Sequence, residues 1–288
     1  FGDAAWKAPQ LAGVAFTGST RTAKAINRAL AQREGAILPL IAETGGINAM
    51  VVDSSALLEQ AVDDVLLSGF GSAGQRCSAL RLLFVQHDVA DRLVALLRGA
   101  MDELVIGDPA DPATDVGPVI DAAARAALER HVAGMAAKAT VLHRCRLDAR
   151  HAGGDFVAPT LIELRDAAQL DVEAFGPIVH LVRFPAGGLE AVARAIRDSG
   201  YGLTLGVQTR LDAHWQLLQA HARVGNLYVN RGMTGAVVGT QPFGGEGLSG
   251  TGPKAGGPHY LLRFAVERCL TVNTVAAGGN TTLLSLAP

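Results

Sequence analysis

Short apolar runs alternate with amphipathic segments along most of this 288-residue chain, and that alternation limits the fold more than any other feature. Residues 11–16, 37–42, 47–53, 80–85, 157–161, 177–184, 203–208 and 225–229 read as strands, bounded by glycine, proline and hydroxyl residues. Between them, residues 21–33, 56–70, 88–104, 121–138, 188–198 and 211–222 carry apolar side chains at helical spacing. Ser54 or Ser55, Asp88 and Asp121 are the expected helix caps. Strands alternating with helices specify an α/β fold with a largely parallel sheet. With 49% hydrophobic residues, 18% charged residues and a net charge of −2, the chain has enough apolar mass for a sizeable core. Aromatic residues make up only 5% and no basic run occurs, which argues against a nucleic-acid surface. No apolar stretch approaches a membrane span and no signal peptide opens the chain, so a cytoplasmic setting is expected.

Gly71-Ser72-Ala73-Gly74-Gln75-Arg76-Cys77-Ser78-Ala79 joins a helical segment to a strand-like run. A cysteine at such a glycine turn is presented as a nucleophile if backbone N–H groups and a cation, Arg76, lower its pKa. It is equally a small buried hydrophobe, the usual fate of free cysteine, and Arg76 is equally a salt-bridge partner that fixes the loop. The other cysteines, Cys145 and Cys269, are too distant to suggest a disulfide framework or zinc site. The eight histidines show no ligand spacing, so no metal is assigned.

The opening of the chain resembles a βαβ unit. Its first strand ends at Thr17-Gly18-Ser19-Thr20, where hydroxyl residues can cap a helix whose first N–H groups are free to meet an anion. The second ends at Glu43-Thr44-Gly45-Gly46. Read locally, Glu43 is either an exposed strand-end carboxylate or a base made basic by burial. From Gly232 to Gly257 the chain is rich in glycine and small residues. Two matches to a dinucleotide fingerprint fall there, at Gly245, Gly247, Gly250 and at Gly250, Gly252, Ala255. Neither follows a strand and opens a helix, so both are rejected as phosphate-binding turns. A loop this long is more often functional than a mere connector, and Lys254 within it reads as a solvated lysine.

Taken together, Phe16-Thr17-Gly18-Ser19, Glu43-Thr44-Gly45-Gly46, Gly74-Gln75-Arg76-Cys77, Glu173-Ala174-Phe175-Gly176-Pro177 and Pro242-Phe243-Gly244-Gly245 resemble the motifs of the aldehyde dehydrogenase superfamily in order and spacing. Gly74 to Ala79 with Ser249 to Pro258 resembles its 1-pyrroline-5-carboxylate dehydrogenase branch. The tail from Val272 to Asn280 is similar to the end of the dehydrogenase module in bacterial bifunctional proline-utilization proteins.

The resemblance implies an aldehyde dehydrogenase-like α/β fold: a three-layer αβα catalytic domain with the remnant of a Rossmann-like NAD-binding domain. It divides the chain into residues 1–47 (end of the NAD-binding domain), 48–245 (catalytic domain) and 246–288 (substrate anchor loop and C-terminal oligomerisation strand). It implies that the Cys77 thiolate attacks glutamate semialdehyde, that hydride passes to NAD, and that Glu43 activates water to hydrolyse the thioester to glutamate. Gly18 and Ser19 would lie near the cofactor pyrophosphate, Glu173 and Phe175 at the nicotinamide ribose, with Thr44 and Gly45 beside them. Arg76, Ser78, Ser249, Gly250, Thr251 and Gly256 are the implied substrate contacts. The chain begins at Phe1 rather than methionine, and the resemblance implies a C-terminal portion whose oxyanion-stabilising asparagine lies upstream. A homo-oligomer and an upstream flavin-dependent proline dehydrogenase domain are the implied partners. The alternatives are a dehydrogenase for another aldehyde, and an inactive module that serves assembly.

Overall fold

The computed structural model describes residues 2–236 and 239–273, together with Thr282 and Ser285. The first unit comprises helix α1 (Gly2–Lys7), strand β1 (Val14–Thr17), helix α2 (Thr20–Ala31) and strand β2 (Leu40–Glu43). β1 and β2 pair in parallel, with Thr17 opposite Glu43. Ser19 caps α2, its hydroxyl accepting the Thr22 N–H at 3.1 Å.

The second unit is a seven-stranded sheet. Its strands are β3 (Asn48–Val52), β4 (Leu80–Gln86), β5 (Thr140–Arg144), β6 (Thr160–Leu164), β7 (Ile178–Phe184), β9 (Thr204–Gln208) and β10 (Asn226–Val229). In space they run β10-β9-β3-β4-β7-β6-β5. All pairings are parallel except that of β5, which runs antiparallel to β6 at one edge. The short strands β8 (Tyr201–Gly202) and β11 (Glu246–Gly247) form a separate antiparallel pair. The connecting helices are α3 (Leu58–Phe70), α4 (His87–Asp102), α5 (Ala122–Ala136), α6 (Leu189–Asp198) and α7 (Asp212–His221).

Alternate residues of β7 reach opposite layers, as the pleat requires. Val179 packs against Gly69 of α3, and Arg183 pairs with Asp91 of α4 at 2.6 Å. His180 points the other way, to His131 of α5 at 2.9 Å. Its register partner Leu82 shares a cleft with Ala191 and Ala195 of α6. The sheet is therefore covered on both faces, and the strands read as near-continuous apolar runs: all seven residues of β4 are buried.

Strand starts differ from the sequence reading in a consistent way. β2 begins at Leu40 rather than residue 37, and β6 at Thr160 rather than residue 157. Each first residue follows a proline, Pro39 or Pro159. Proline has no N–H to give to the ladder, so regular pairing starts after it. Two expected caps are also corrected. The residue preceding α3 is Leu57 and offers no side-chain cap, because Ser55 spends its hydroxyl on Asp53 at 2.6 Å. Asp88 lies inside the first turn of α4 and accepts from Gln86 at 2.7 Å, whereas Asp121 caps α5 through the Ala124 N–H. β5 and α1 were not expected; β5 is a half-exposed edge strand without a continuous apolar run. Residues 270–273, within the segment expected to hold the C-terminal oligomerisation strand, form no strand and stand exposed. The rest of the expected oligomerisation strand lies outside the described residues.

Candidate active site

The carboxyl ends of β1 and β2 meet the amino ends of β3, β4 and β7, and the chemistry-bearing residues gather at that junction. β2 ends at Glu43, and Gly45-Gly46 carries the chain across to Asn48 at the start of β3. Cys77 precedes β4, and Glu173 to Gly176 precedes β7.

The turn before Cys77 is strained. Ser72, Ala73 and Gly74 take positive φ values of 55°, 52° and 64° in succession. The left-handed conformation costs a non-glycine residue roughly 1–2 kcal/mol, and such strain clusters at functional sites when the surroundings enforce it. Enforcement comes from Gln75, which accepts the Ile120 N–H at 2.8 Å and donates to the Pro118 carbonyl at 3.2 Å. Gly74 is obligatory, since a Cβ there would stand 2.1 Å from the Gly176 oxygen. On the far side of the cysteine, Asn48 donates to the carbonyls of Cys77 at 2.6 Å and Ala79 at 2.9 Å. Its own oxygen accepts the Thr204 N–H at 3.1 Å.

Cys77 is half-buried and unpaired by any disulfide. Burial first, then the nearby Glu173 charge, push its thiol pKa above the ordinary value, outweighing the N–H groups of Ser78 and Cys77; Glu43 adds to the rise. The expected lowering by Arg76 does not occur. That side chain is exposed and turns back to the Ser72 hydroxyl at 3.0 Å.

The cation at the site is instead Arg81 on β4, whose side chain has no solvent exposure. It donates to the carbonyls of Gly176 at 3.0 Å and Arg76 at 3.2 Å, pairs with Glu173 at 3.5 Å, and lies 5.3 Å from the centre of the Phe175 ring. One guanidinium thus ties the cysteine loop to the Glu173–Gly176 loop. Its signal in the sequence is a lone charge inside Ala79 to Val85, an otherwise apolar run, and sequence reasoning passed over it.

Glu43 is 8% exposed, so it is not the solvated strand-end carboxylate. Burial raises its pKa to about 7 against the opposing pulls of the Gly245 N–H and Lys254. The Gly245 N–H reaches Oε2 at 3.0 Å, while Oε1 is buried without a hydrogen bond. Such a carboxylate holds and releases a proton near neutrality.

The glycine loop packs on the free edge of β2. Thr44 donates from its N–H to Ser249 at 2.8 Å and from its hydroxyl to Leu248 at 2.5 Å. Thr251 donates its N–H to Ala42 at 2.9 Å and accepts the Ala42 N–H on its hydroxyl at 2.9 Å. Gly250 faces Glu43, where a Cβ would come within 2.9 Å of Oε2. Ser249 is fully buried and its hydroxyl accepts the Gly202 N–H at 3.1 Å. These side chains pin the loop; no polar atom of Ser249 is open to a ligand. Ser78 is likewise buried, its hydroxyl taking the Gly235 N–H at 3.4 Å. Gly256 sits in an exposed turn at φ 70°.

The residues also fit a dinucleotide. Gly18 and Ser19 are exposed at the amino end of α2, where free N–H groups suit phosphate. The Glu173 carboxylate lies over Gly45, where a Cβ would fall 1.9 Å from Oε2, and its Oε1 carries no hydrogen bond. Phe175 beside it is 45% exposed. Acceptor capacity next to an open aromatic face suits a ribose and a flat ring. Among the described residues, no group of three or more potential metal ligands occurs.

Known proteins resemble this chain in sequence and in fold. The bifunctional protein PutA of Escherichia coli is 56% identical over 264 residues, covering 89% of this chain and 20% of its own length. The 1-pyrroline-5-carboxylate dehydrogenase of Geobacillus kaustophilus is 37% identical over 259 residues, covering 88% of this chain and 50% of its own. Among solved structures, a bifunctional proline utilization A protein superposes with a TM-score of 0.91 at 58% identity, over 96% of this chain and 28% of that one. A Thermus 1-pyrroline-5-carboxylate dehydrogenase with bound NAD gives 0.84 at 31% identity, over 91% and 51%. The chain therefore spans about a fifth to a half of the relatives it matches. The aldehyde dehydrogenase family model matches residues 1–269, and the chain belongs to that family.

Proposed function

We propose that this chain carries the catalytic centre of an NAD-dependent dehydrogenase that oxidises L-glutamate γ-semialdehyde to L-glutamate. The observation that carries the reading is the pairing of a half-buried Cys77 with a buried Glu43 whose pKa is raised to about 7 and whose Oε1 is bare. The substrate follows from the relatives named 1-pyrroline-5-carboxylate dehydrogenase and proline utilization A.

On this reading the Cys77 thiolate adds to the aldehyde carbon, and the N–H groups of Cys77 and Ser78 face the charge around the sulfur. NAD, when bound, accepts the hydride that turns the thiohemiacetal into a thioester. Glu43 takes a proton from water at Oε1, the hydroxide adds to the thioester carbon, and the C–S bond breaks to restore the thiolate. Glu173 and Phe175 hold the cofactor ribose and nicotinamide, with Gly45 giving Glu173 the room to do so. Gly18 and Ser19 hold the pyrophosphate.

We place the cofactor-binding part in residues 1–47, the catalytic domain in 48–245 and the substrate-anchoring loop with the oligomerisation segment in 246–288. Exposed Leu261, Leu262, Val266, Leu270 and Val272 give that last segment an apolar surface suited to a second copy. The name of the bifunctional relatives supports a partner activity that oxidises proline to supply the substrate. The test is stopped-flow NADH formation with glutamate semialdehyde against uncharged aldehydes of equal length. Preference for the semialdehyde, lost in Cys77→Ala, is expected; equal turnover of both would replace the substrate assignment.

A further inference from the structure

Lys254 is half-buried and hydrogen-bonded within the protein rather than solvated. Its ammonium donates to the Gly225 carbonyl and to Asn226 Oδ1, the latter at 3.3 Å. Asn226 Oδ1 also accepts the Gly244 N–H at 3.4 Å, and its amide donates to Pro242 at 3.1 Å. The neighbouring Ala255 exchanges two backbone hydrogen bonds with Phe243, at 2.9 and 2.8 Å. Gly225 presses on the same turn, since a Cβ there would lie 1.8 Å from the Gly244 oxygen. The Pro242–Gly245 turn is therefore strapped at its first three residues, Pro242, Phe243 and Gly244. That turn presents the Gly245 N–H to Glu43 Oε2, and a Cβ on Gly244 would stand 2.7 Å from Oε1.

Resting on the reading of Glu43 as the hydrolytic base, we propose that Lys254 and Asn226 are positioning residues for it. They strap the Pro242–Gly245 turn so that one N–H pins Oε2 and leaves Oε1, buried and without a hydrogen bond, as the oxygen that takes the proton. The titratable groups in electrostatic contact with Glu43 are Lys254 and Cys77, of which Lys254 carries the charge. Thr17, Gly18, Gly244, Gly245 and Gly250, which pack around it, bring none. Lys254 thus supplies the one opposing charge among the described residues in that contact.

The two acyl steps separate in a cofactor-free assay with p-nitrophenyl acetate. Cys77 displaces nitrophenolate and becomes acetylated; water, activated by Glu43, then releases acetate and the thiol. With Lys254→Met, the nitrophenolate burst is expected to persist while the steady rate falls about tenfold and its ascending pH limb moves to higher pH. Lys254→Arg restores part of the rate, and Asn226→Ala slows the same step. Burst and steady rate falling together, or a steady rate and pH limb equal to wild type in a folded Lys254→Met protein, overturns the proposal. Controls separate the levels: if Cys77→Ala leaves the burst untouched, or Glu43→Gln leaves the steady rate untouched, the catalytic reading itself fails. If Cys77→Ala abolishes the burst and Glu43→Gln keeps the burst but abolishes the steady rate, while Lys254→Met changes neither, only the positioning role is lost.

Discussion

Arg81 and Glu173 pair at 3.5 Å through a guanidinium with no solvent exposure and a carboxylate side chain 18% exposed. Burial pulls the Arg81 pKa down and pushes the Glu173 pKa up, despite their mutual attraction. Both shifts favour neutral forms, so desolvation outweighs the ion pair. The pair holds two loops in place rather than adding stability, as buried pairs commonly do.

Removing one partner strands the other. Arg81→Met should destabilise the protein by about 3 kcal/mol, the usual consequence of an uncompensated buried charge. Arg81→Met combined with Glu173→Gln should recover most of that loss. Urea unfolding midpoints measure both, and simple additivity of the two single effects would refute the pairing argument.

The cysteine thiol should alkylate with a pH limb above the ordinary thiol range in the absence of ligands, because burial and Glu173 oppose ionisation. Glu173→Gln is expected to shift the limb to lower pH. Arg76→Ala should leave it in place, since the Arg76 side chain faces Ser72. Iodoacetamide rates across pH decide the matter; a shift with Arg76→Ala would restore the cation role to that residue.

Glu43 also makes stability depend on pH. Its folded pKa of about 7 lies above the unfolded value of 4.5, so the native state binds the extra proton between them. Stability from this group is present at low pH and is lost as pH rises from about 4.5 to 7. Glu43→Gln removes that dependence and should be more stable than wild type at pH 8 by about 2–3 kcal/mol. Thermal melts from pH 5 to 8 would show the gap opening across this window; a constant gap would contradict the raised pKa.

Gly45 is required by the closeness of Glu173, with an added Cβ 1.9 Å from Oε2. Gly45→Ala should displace that carboxylate and raise KM for NAD by about tenfold, roughly the worth of one charge-assisted hydrogen bond. Nitrophenyl ester hydrolysis, which needs no cofactor, is expected to change far less. A parallel loss in both assays would mean that Gly45 serves the fold alone.

The alternation of apolar runs and helices made the parallel sheet legible, because strands buried on both faces are written as uninterrupted apolar residues. The edge strand Thr140–Arg144 lacked that signature and was missed for the same reason. Strand starts slipped where Pro39 and Pro159 delayed the ladder. Cys77 and Glu43 could be singled out because each ends a local pattern. Asn48 and Arg81 carry a weaker signal, a polar residue within an apolar segment. Lys254 and Asn226 meet only through the fold, across 28 positions, and no local pattern announces them. Ser249 stood in a loop that looked ligand-facing, yet tertiary packing used its hydroxyl for the Gly202 N–H.

The central claim is that Cys77 carries the acyl group and Glu43 releases it. Glu43→Gln, mixed with glutamate semialdehyde and NAD and quenched in acid, tests this by mass spectrometry of the peptide containing Cys77. The account predicts a glutamyl thioester on Cys77, formed with one NADH per site and little further turnover. An unmodified Cys77 with continued turnover would contradict it.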